Sequence, residues 1–369
     1  MMNYKEAIIF NICEKLQLSK RLYEQAMERY DTVTAILQSD KIFDRIQLNV
    51  YPHGSFRLKT TVKPLSREEY DLDFVVELPS TESMSPQELY SHIVRILRND
   101  GIHTNMVELK SRCVRIKYKN DFHMDIMPGK QINANTGEII VPDRDLKMWY
   151  HHSNPIGFAK WFENQARTGI LREIQALRKA QFSIEPISEQ EITERLEPLC
   201  RAVQLIKRYR DLYCERTGEE PVRSIVICTL MGHITDFAGD TLGIIHTFCQ
   251  YVNNLISQSS INKPFDVKNP VVDEVLTEKW HEGHNYQDFV RMMHSLTEDV
   301  SKLASLSLNS DINELIRRMF GESVTNEAIK KYAEDYSKVR GNGTLFVNSN
   351  GTLNTRGDGV VVSKNTFYG

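Results

Sequence analysis

A short strand that carries two acidic residues constrains the fold of this chain more than any other feature. Residues 70–78 are rich in β-branched and aromatic side chains, which is the composition of a β-strand. Alternate residues of a strand point to the same face, so Asp71 and Asp73 are predicted to lie side by side. Adjacent carboxylates repel each other unless a cation lies between them. The strand is therefore expected to carry Mg²⁺ or Mn²⁺, since both ions prefer oxygen ligands.

A third acidic residue, Asp125, lies in a second apolar run, residues 122–128. Residues 106–117 before it alternate imperfectly between polar and apolar side chains, and residues 118–121 form a turn-like break. The two runs are therefore interpreted as antiparallel strands, with Asp125 on the second.

Together the three carboxylates predict a two-metal catalytic centre. In phosphoryl transfer, two cations about 4 Å apart stabilise the attacking and the leaving oxygens. We expect Asp71 and Asp73 to hold both ions, and Asp125 to complete the site of the ion that activates the attacking hydroxyl. The alternative is a pair of acids on a solvated surface strand. A further strand-borne carboxylate favours the catalytic interpretation.

Upstream of the acidic strand, Gly54 and Ser55 follow a short predicted strand, residues 48–51. Glycine lets the backbone approach a phosphate closely, and consecutive N–H groups form an anion-binding nest, to which Ser55 adds a hydroxyl. The pair is expected to cradle a triphosphate, although a Gly-Ser pair by itself describes an ordinary turn. Three flanking cations can neutralise phosphate, contact an acceptor or face solvent: Arg57, Lys59 and Lys63.

Composition limits the classes of protein to which the chain can belong. Its 369 residues, 41% of them hydrophobic, suffice for a large core and suggest two lobes. The net charge of −3 gives no global basic bias of the kind found in constitutive nucleic-acid binders. The six cysteines form no CxxC pair and are interpreted as reduced thiols. With no apolar run long enough for a membrane span and no signal peptide, a soluble cytoplasmic protein is predicted.

Sequence patterns divide the chain into four segments. Residues 1–47 are predicted as a helical segment bridging the lobes, favoured as one long helix, with Ser19 as a plausible N-cap. Residues 48–155 read in the order strand, Gly-Ser turn, acidic strand, helix, strand, acidic strand, which is a mixed α+β catalytic core. Residues 156–340 are mainly helical. Residues 341–369 are rich in Gly, Asn, Thr and Ser, and are predicted to form a flexible tail.

The combined motifs resemble the bacterial cGAS/DncV-like nucleotidyltransferases, the CD-NTases of CBASS anti-phage systems, within the polymerase-β-like superfamily. The matching stretches are residues 52–64, 70–73, 123–128, 141–143, 149–155, 269–270 and 277–280. The resemblance implies an α+β, bilobed polymerase-β-like core, with a mixed sheet and helices, plus a helical OAS-like second lobe. It also implies that NTPs, ATP among them, are joined into cyclic di- or trinucleotides that activate a co-encoded effector.

Further site residues and partners follow from this resemblance. It implies that Lys207 and Ser224 reach the triphosphate from the helical lobe; the alternative is a helix-surface lysine and an N-cap serine. It also implies a ubiquitin-transfer-like enzyme that conjugates the chain through its C-terminal Gly369; the alternative for the tail is plain disorder. No Cys/His cluster resembles the zinc ribbon of the animal DNA sensor, so no obligatory DNA activator is expected, and no membrane partner.

Two alternative functions remain open from the residues alone. The first is a linear 2′–5′ oligoadenylate synthase or a nucleic-acid tailing enzyme, against which the near-neutral charge argues mildly, because tailing needs a basic acceptor groove. The second is a catalytically silent scaffold that acts through its tail. The presence of Asp71, Asp73 and Asp125 argues against the scaffold.

Overall fold

A mixed β-sheet forms the first half of the fold. The structure, a computed structural model, describes residues 4–65, 70–118, 122–133, 135–144, 151–166, 183–184, 196–234, 241–282, 285–343, 346–347, 353–354 and 360–362. The strands of the sheet are β1 (Asn49–His53), β2 (Tyr70–Leu78), β3 (Val107–Leu109), β4 (Val114–Tyr118), β5 (Phe122–Asn133), β6 (Glu138–Val141), β7 (His151–Ser153) and β8 (Ser183–Ile184). Their order is β3-β4-β5-β2-β1-β8, and β6 pairs with both β5 and β7.

Three pairings within this sheet position the acidic residues. The predicted antiparallel partner of the Asp125 strand is confirmed as β4, but residues 106–117, predicted as one strand, contain two paired strands, β3 and β4. Strand β5 continues past its apolar run and lies parallel to β2, while β1 lies antiparallel to β2 on the other side. Both acidic strands are therefore central and adjacent.

Helices cover the sheet and build the second lobe. They are α1 (Tyr4–Leu16), α2 (Lys20–Gln38), α3 (Gly54–Arg57), α4 (Pro86–Asn99), α5 (Pro155–Ala166), α6 (Pro198–Thr217), α7 (Ser224–Gly232), α8 (Thr241–Ser257), α9 (Glu278–His281), α10 (Tyr286–Ser305), α11 (Asn309–Phe320) and α12 (Glu322–Gly341). One large apolar core joins α1 and α5 to helices α6 to α12, and a second core joins α2 and α4 to the sheet. None of the described helices is both long and apolar enough to cross a membrane.

The prediction of one long N-terminal helix was wrong, because two helices occupy this segment. Leu16 is buried in the core of the helical lobe, whereas Leu18 is buried in the core of the sheet, so the chain must turn between them. Ser19 then caps α2 by accepting a hydrogen bond from the Leu22 N–H, as predicted. The helix ends at Gln38 rather than near residue 47.

The C-terminal segment contains regular structure that the sequence analysis did not predict. Strands β9 (Phe346–Val347), β10 (Leu353–Asn354) and β11 (Val360–Val361) form a small antiparallel sheet with β9 in the middle. Backbone pairing between short segments needs little apolar burial, so the polar composition gave no signal for it. Gly369, the predicted conjugation site, lies outside the described residues.

Candidate active site

The register of the two central strands brings the three predicted carboxylates to one face of the sheet. Asp73 pairs directly with Asp125 across the parallel β2 and β5, and Asp71 pairs with His123. Because side chains alternate along a strand, Asp71 and Asp73 share a face with Asp125. The sequence predicted the strands but not this alignment, since parallel neighbours are separated by a long stretch of chain.

Gly54 and Ser55 lie directly against this carboxylate group. They begin α3 immediately after β1, whose last residue, His53, pairs in register with Asp73. A Cβ atom at Gly54 would lie 2.2 Å from Oδ2 of Asp73, and the φ angle of Gly54 is +61°. Only glycine therefore fits, because any side chain would strike the carboxylate. The Ser55 hydroxyl accepts a hydrogen bond from Thr61 Oγ1 at 3.2 Å.

Burial and the crowding of like charges perturb the pKa of these carboxyl groups. Burial, with the neighbouring Asp125 and Asp71, raises the pKa of Asp73 to about 8. Partial desolvation also raises the pKa of Asp71, whose side chain is 55% exposed. Desolvated carboxylates that repel one another are stabilised by a cation, and three carboxylates form the hard oxygen donor set that Mg²⁺ or Mn²⁺ prefers. The chemistry of these residues therefore fits a divalent cation.

A cationic side chain that the sequence analysis missed already contacts two of the three acids. Arg115 on β4 lies opposite Asp125 and binds both of its carboxylate oxygens at 2.7 Å, and it also lies 3.5 Å from Asp71. In this arrangement, no group of three or more His, Cys, Asp or Glu side chains within the described ranges is set to hold a metal. The predicted break at residues 118–121 would place residue 115 opposite residue 124, whereas β4 continues to Tyr118, so Arg115 pairs with Asp125.

A cavity of about 490 Å³ opens between the sheet and the helical lobe. Its volume lies within the usual range for small-molecule sites, roughly 300 to 1,000 Å³. Six predicted site residues line it, from both lobes: Gly54, Ser55, Asp71, Asp73, Lys207 and Ser224. Asp125 is not among the lining residues. Of the three cations predicted near the turn, only Arg57 lines the cavity, where it is ion-paired with Glu163 of α5.

Lys207 and Ser224 reach this cavity from neighbouring helices, α6 and α7. Lys207 is buried and its Nζ donates to the Thr60 carbonyl at 2.9 Å, while burial lowers the pKa of its ammonium group. Ser224 is the first residue of α7 and accepts a hydrogen bond from Arg210 Nη1 at 3.0 Å. Lys207 is thus not a helix-surface side chain, and Ser224 is not an N-cap.

A polar cluster on the cavity wall was also missed. Glu274 accepts from Asn269 Nδ2 at 3.0 Å, its Oε1 lies 2.9 Å from His151 Nε2, and it is 3.6 Å from Arg112. Burial acts to raise the pKa of Glu274, but the hydrogen bonds from His151 and Asn269 outweigh it and hold that pKa below its ordinary value. The cluster joins the core to the helical lobe. The matching stretches 149–155 and 269–270 pointed towards it, because they contain His151 and Asn269.

Comparison with known proteins gives a family match and a relative of nearly the same length. Residues 2–166 match the family described as the Second Messenger Oligonucleotide or Dinucleotide Synthetase domain. The chain is 29% identical over 374 residues to a c-di-GMP synthase of Roseivirga ehrenbergii, and the alignment covers 99% of this chain and 97% of that protein.

Solved structures share the fold. The CD-NTase CdnG of Bradyrhizobium diazoefficiens, in complex with GTP, superposes with a TM-score of 0.69 at 20% identity, covering 89% of this chain and 99% of CdnG. The cyclic AMP-GMP synthase DncV of Vibrio cholerae, in complex with the linear intermediate 5′ pppA(3′,5′)pG, superposes with a TM-score of 0.55 at 16% identity, covering 87% of this chain and 86% of DncV. The predicted α+β fold class is confirmed.

Proposed function

We propose that this chain, which is a cGAS/DncV-like nucleotidyltransferase, joins nucleoside triphosphates into a cyclic dinucleotide and releases pyrophosphate. The observation that carries the proposal is the alignment of Asp73 with Asp125 beside Gly54, at a cavity lined from both lobes. The full-length likeness to a c-di-GMP synthase favours a dinucleotide over a trinucleotide and GTP as one substrate. ATP as a second substrate stays a prediction.

The chain's own residues would position the substrate and its charge. Asp71, Asp73 and Asp125 would hold two Mg²⁺ or Mn²⁺ ions, which when bound lower the pKa of the attacking hydroxyl and neutralise charge on the leaving pyrophosphate. Gly54 lets the Asp73 carboxylate lie directly against the backbone, since a Cβ at this position would be 2.2 Å from Asp73 Oδ2. The Lys207 ammonium, at the same cavity, would contribute positive charge toward the triphosphate.

Cyclisation requires the same centre to act twice. The first transfer gives a linear dinucleotide that keeps a 5′ triphosphate, and the second joins its free hydroxyl to its own α-phosphate. A linear intermediate of this kind is bound in the V. cholerae enzyme of the same fold. A cavity of about 490 Å³ suits a dinucleotide better than a long nucleic-acid acceptor, which argues against tailing.

The cellular role follows from the resemblance to CBASS cyclases. The product would activate a co-encoded effector in anti-phage defence, in the cytoplasm. A ubiquitin-transfer-like enzyme would conjugate the chain through Gly369, a residue outside the described part. Neither partner alters the assignment of the catalytic centre.

The test is product analysis with isosteric controls. The protein would be incubated with all four NTPs, one labelled at the α-phosphate, with Mg²⁺ or Mn²⁺, and the products treated with phosphatase and identified by mass spectrometry. A phosphatase-resistant dinucleotide is expected from the wild type and from Glu108→Gln, an exposed acid on edge strand β3, but not from Asp71→Asn/Asp73→Asn. If all of the products were linear chains sensitive to phosphatase, the result would support the linear synthase. If the double variant still formed the same amount of product, the catalytic site would lie elsewhere.

A further inference from the structure

A single guanidinium group bridges two of the three carboxylates. Arg115 Nε lies 2.7 Å from Oδ1 of Asp125, and its Nη2 lies 2.7 Å from Oδ2 of Asp125 and 3.5 Å from Oδ1 of Asp71. The side chains of Arg115 and Asp125 are only 22% and 15% exposed, so this charge-assisted bidentate pair is largely shielded from water. Both oxygens of Asp125 are engaged, and Asp125 does not line the cavity.

We propose that Arg115 is the resting counter-cation of this centre, which neutralises Asp71 and Asp125 in the metal-free protein and competes with the divalent ion for them. The inference rests on the proposed metal-dependent function. One nitrogen, Nη2, reaches an oxygen of each acid, which is where a cation shared by the two would bind. A divalent ion requires those oxygens within about 2.0 to 2.6 Å, and it is repelled by a guanidinium at such short range.

The alternative role for Arg115 is to orient Asp125 as a ligand, as outer partners of metal sites do. An orienting partner contacts the ligand alone and leaves lone pairs on its oxygens for the metal. Here both oxygens of Asp125 are bound, and the contact extends to Asp71. Competition and orientation predict opposite changes in metal affinity when the charge is removed.

Competition also couples the metal to the nucleotide. A divalent ion alone must displace Arg115 and binds weakly, whereas a triphosphate brings negative charge that compensates for both cations. The resting protein would therefore keep its carboxylates neutralised until a metal-nucleotide complex arrives.

The experiment measures Mn²⁺ binding to the full chain by electron paramagnetic resonance, without nucleotide. Arg115→Gln is expected to bind Mn²⁺ about tenfold more tightly than the wild type. Lys117→Gln removes the same charge from an exposed position two residues along β4, and should stay within about twofold of the wild type. Thermal unfolding of the metal-free variants checks that each is folded. If Arg115→Gln does not fold, Arg115→Lys, which keeps the charge but loses the bidentate geometry, should tighten binding by a smaller factor.

The second arm repeats the titration with guanosine 5′-α,β-methylene triphosphate. The nucleotide should strengthen Mn²⁺ binding to the wild type by a larger factor than to Arg115→Gln, a coupling that a purely structural arginine would not change. Unchanged or weaker Mn²⁺ binding by Arg115→Gln overturns the competition. If neither protein binds Mn²⁺ with or without nucleotide, the proposed metal-dependent function fails as well, so the two failures are distinguishable.

Discussion

Two of the carboxylates on one face of strand β2, Asp73 and Glu77, lie four residues apart in opposite environments. Glu77 is buried and fully satisfied: its oxygens accept from Tyr51 Oη at 2.7 Å and from Asn49 and Gln131 amide nitrogens at 3.2 Å. Asp73 lies among other carboxylates instead, and burial with those neighbours raises its pKa to about 8. Between them Val75 packs in a small apolar cluster.

The difference distinguishes a structural carboxylate from a functional one. A buried carboxylate surrounded by hydrogen-bond donors needs nothing more, and it holds neighbouring strands together. A carboxylate crowded by others is stable only when something positive is added, so its environment indicates a ligand. Matched amide substitutions at the two positions test this distinction.

The largest expected effect is on catalysis. Asp73→Asn should reduce product formation by about 10³-fold or more, because it removes a proposed ligand of both ions. Glu77→Gln, the same chemical change four residues away, should keep activity within about threefold of the wild type. Initial rates with labelled GTP, at matched folded fractions, provide the measurement. Comparable losses in the two variants would remove the functional distinction between them.

A substitution of Gly54, the glycine that contacts Asp73, tests whether the position of the Asp73 carboxylate matters for catalysis. Gly54→Ala places a Cβ 2.2 Å from Asp73 Oδ2, so the carboxylate must move, and we expect about a 10²-fold loss of rate. Gly101→Ala is the control, since Gly101 also has a positive φ, +80°, but has nothing within 4 Å of an added Cβ. Both variants should lose about 1 kcal/mol of stability from the left-handed backbone, and only Gly54→Ala should lose rate. Equal rates would mean that Asp73 tolerates displacement.

How far the site could be predicted from the sequence depends on how far apart in the chain the residues of each contact lie. The spacing of Asp71 and Asp73 needed only strand geometry, and the β4–β5 pairing needed only a turn signal. The predicted turn did not give the register, because β4 continues one residue further, to Tyr118, and this shift is what places Arg115 opposite Asp125. The approach of Lys207 to the sheet depends on how the two lobes pack, and no local pattern carries that information.

The errors in the fold have a similar origin. Helical periodicity ran through the first segment, but the break before Ser19 arises because Leu16 and Leu18 belong to different apolar cores. Local propensity cannot distinguish burial in one core from burial in another. The short C-terminal strands likewise depend on pairing between segments rather than on their own composition.

Stability gives a smaller contrast between the two carboxylates. Glu77→Gln should destabilise the protein by about 1 to 2 kcal/mol, because charge-assisted hydrogen bonds to buried donors are weakened or left unpaired. Asp73→Asn should instead stabilise the metal-free protein near pH 8, since it removes a repelled charge. Urea unfolding in the presence of a chelator provides the measurement. Destabilisation of both variants to the same extent would show that Asp73 is held by donors as Glu77 is.

The smallest expected effect is the pH dependence of the stability difference between the wild type and Asp73→Asn. In the folded protein the pKa of Asp73 is about 8, above the ordinary value of 3.8, so the folded state keeps a proton that the unfolded chain has lost. The stability of the metal-free wild type should therefore fall, relative to Asp73→Asn, as the pH rises from 3.8 to about 8, and then level off. Saturating Mg²⁺ should reduce this fall, because a bound cation favours the ionised carboxylate. A difference between the two proteins that does not vary with pH would mean that Asp73 ionises as freely when folded as when unfolded, and the contrast with Glu77 would then rest on catalysis alone.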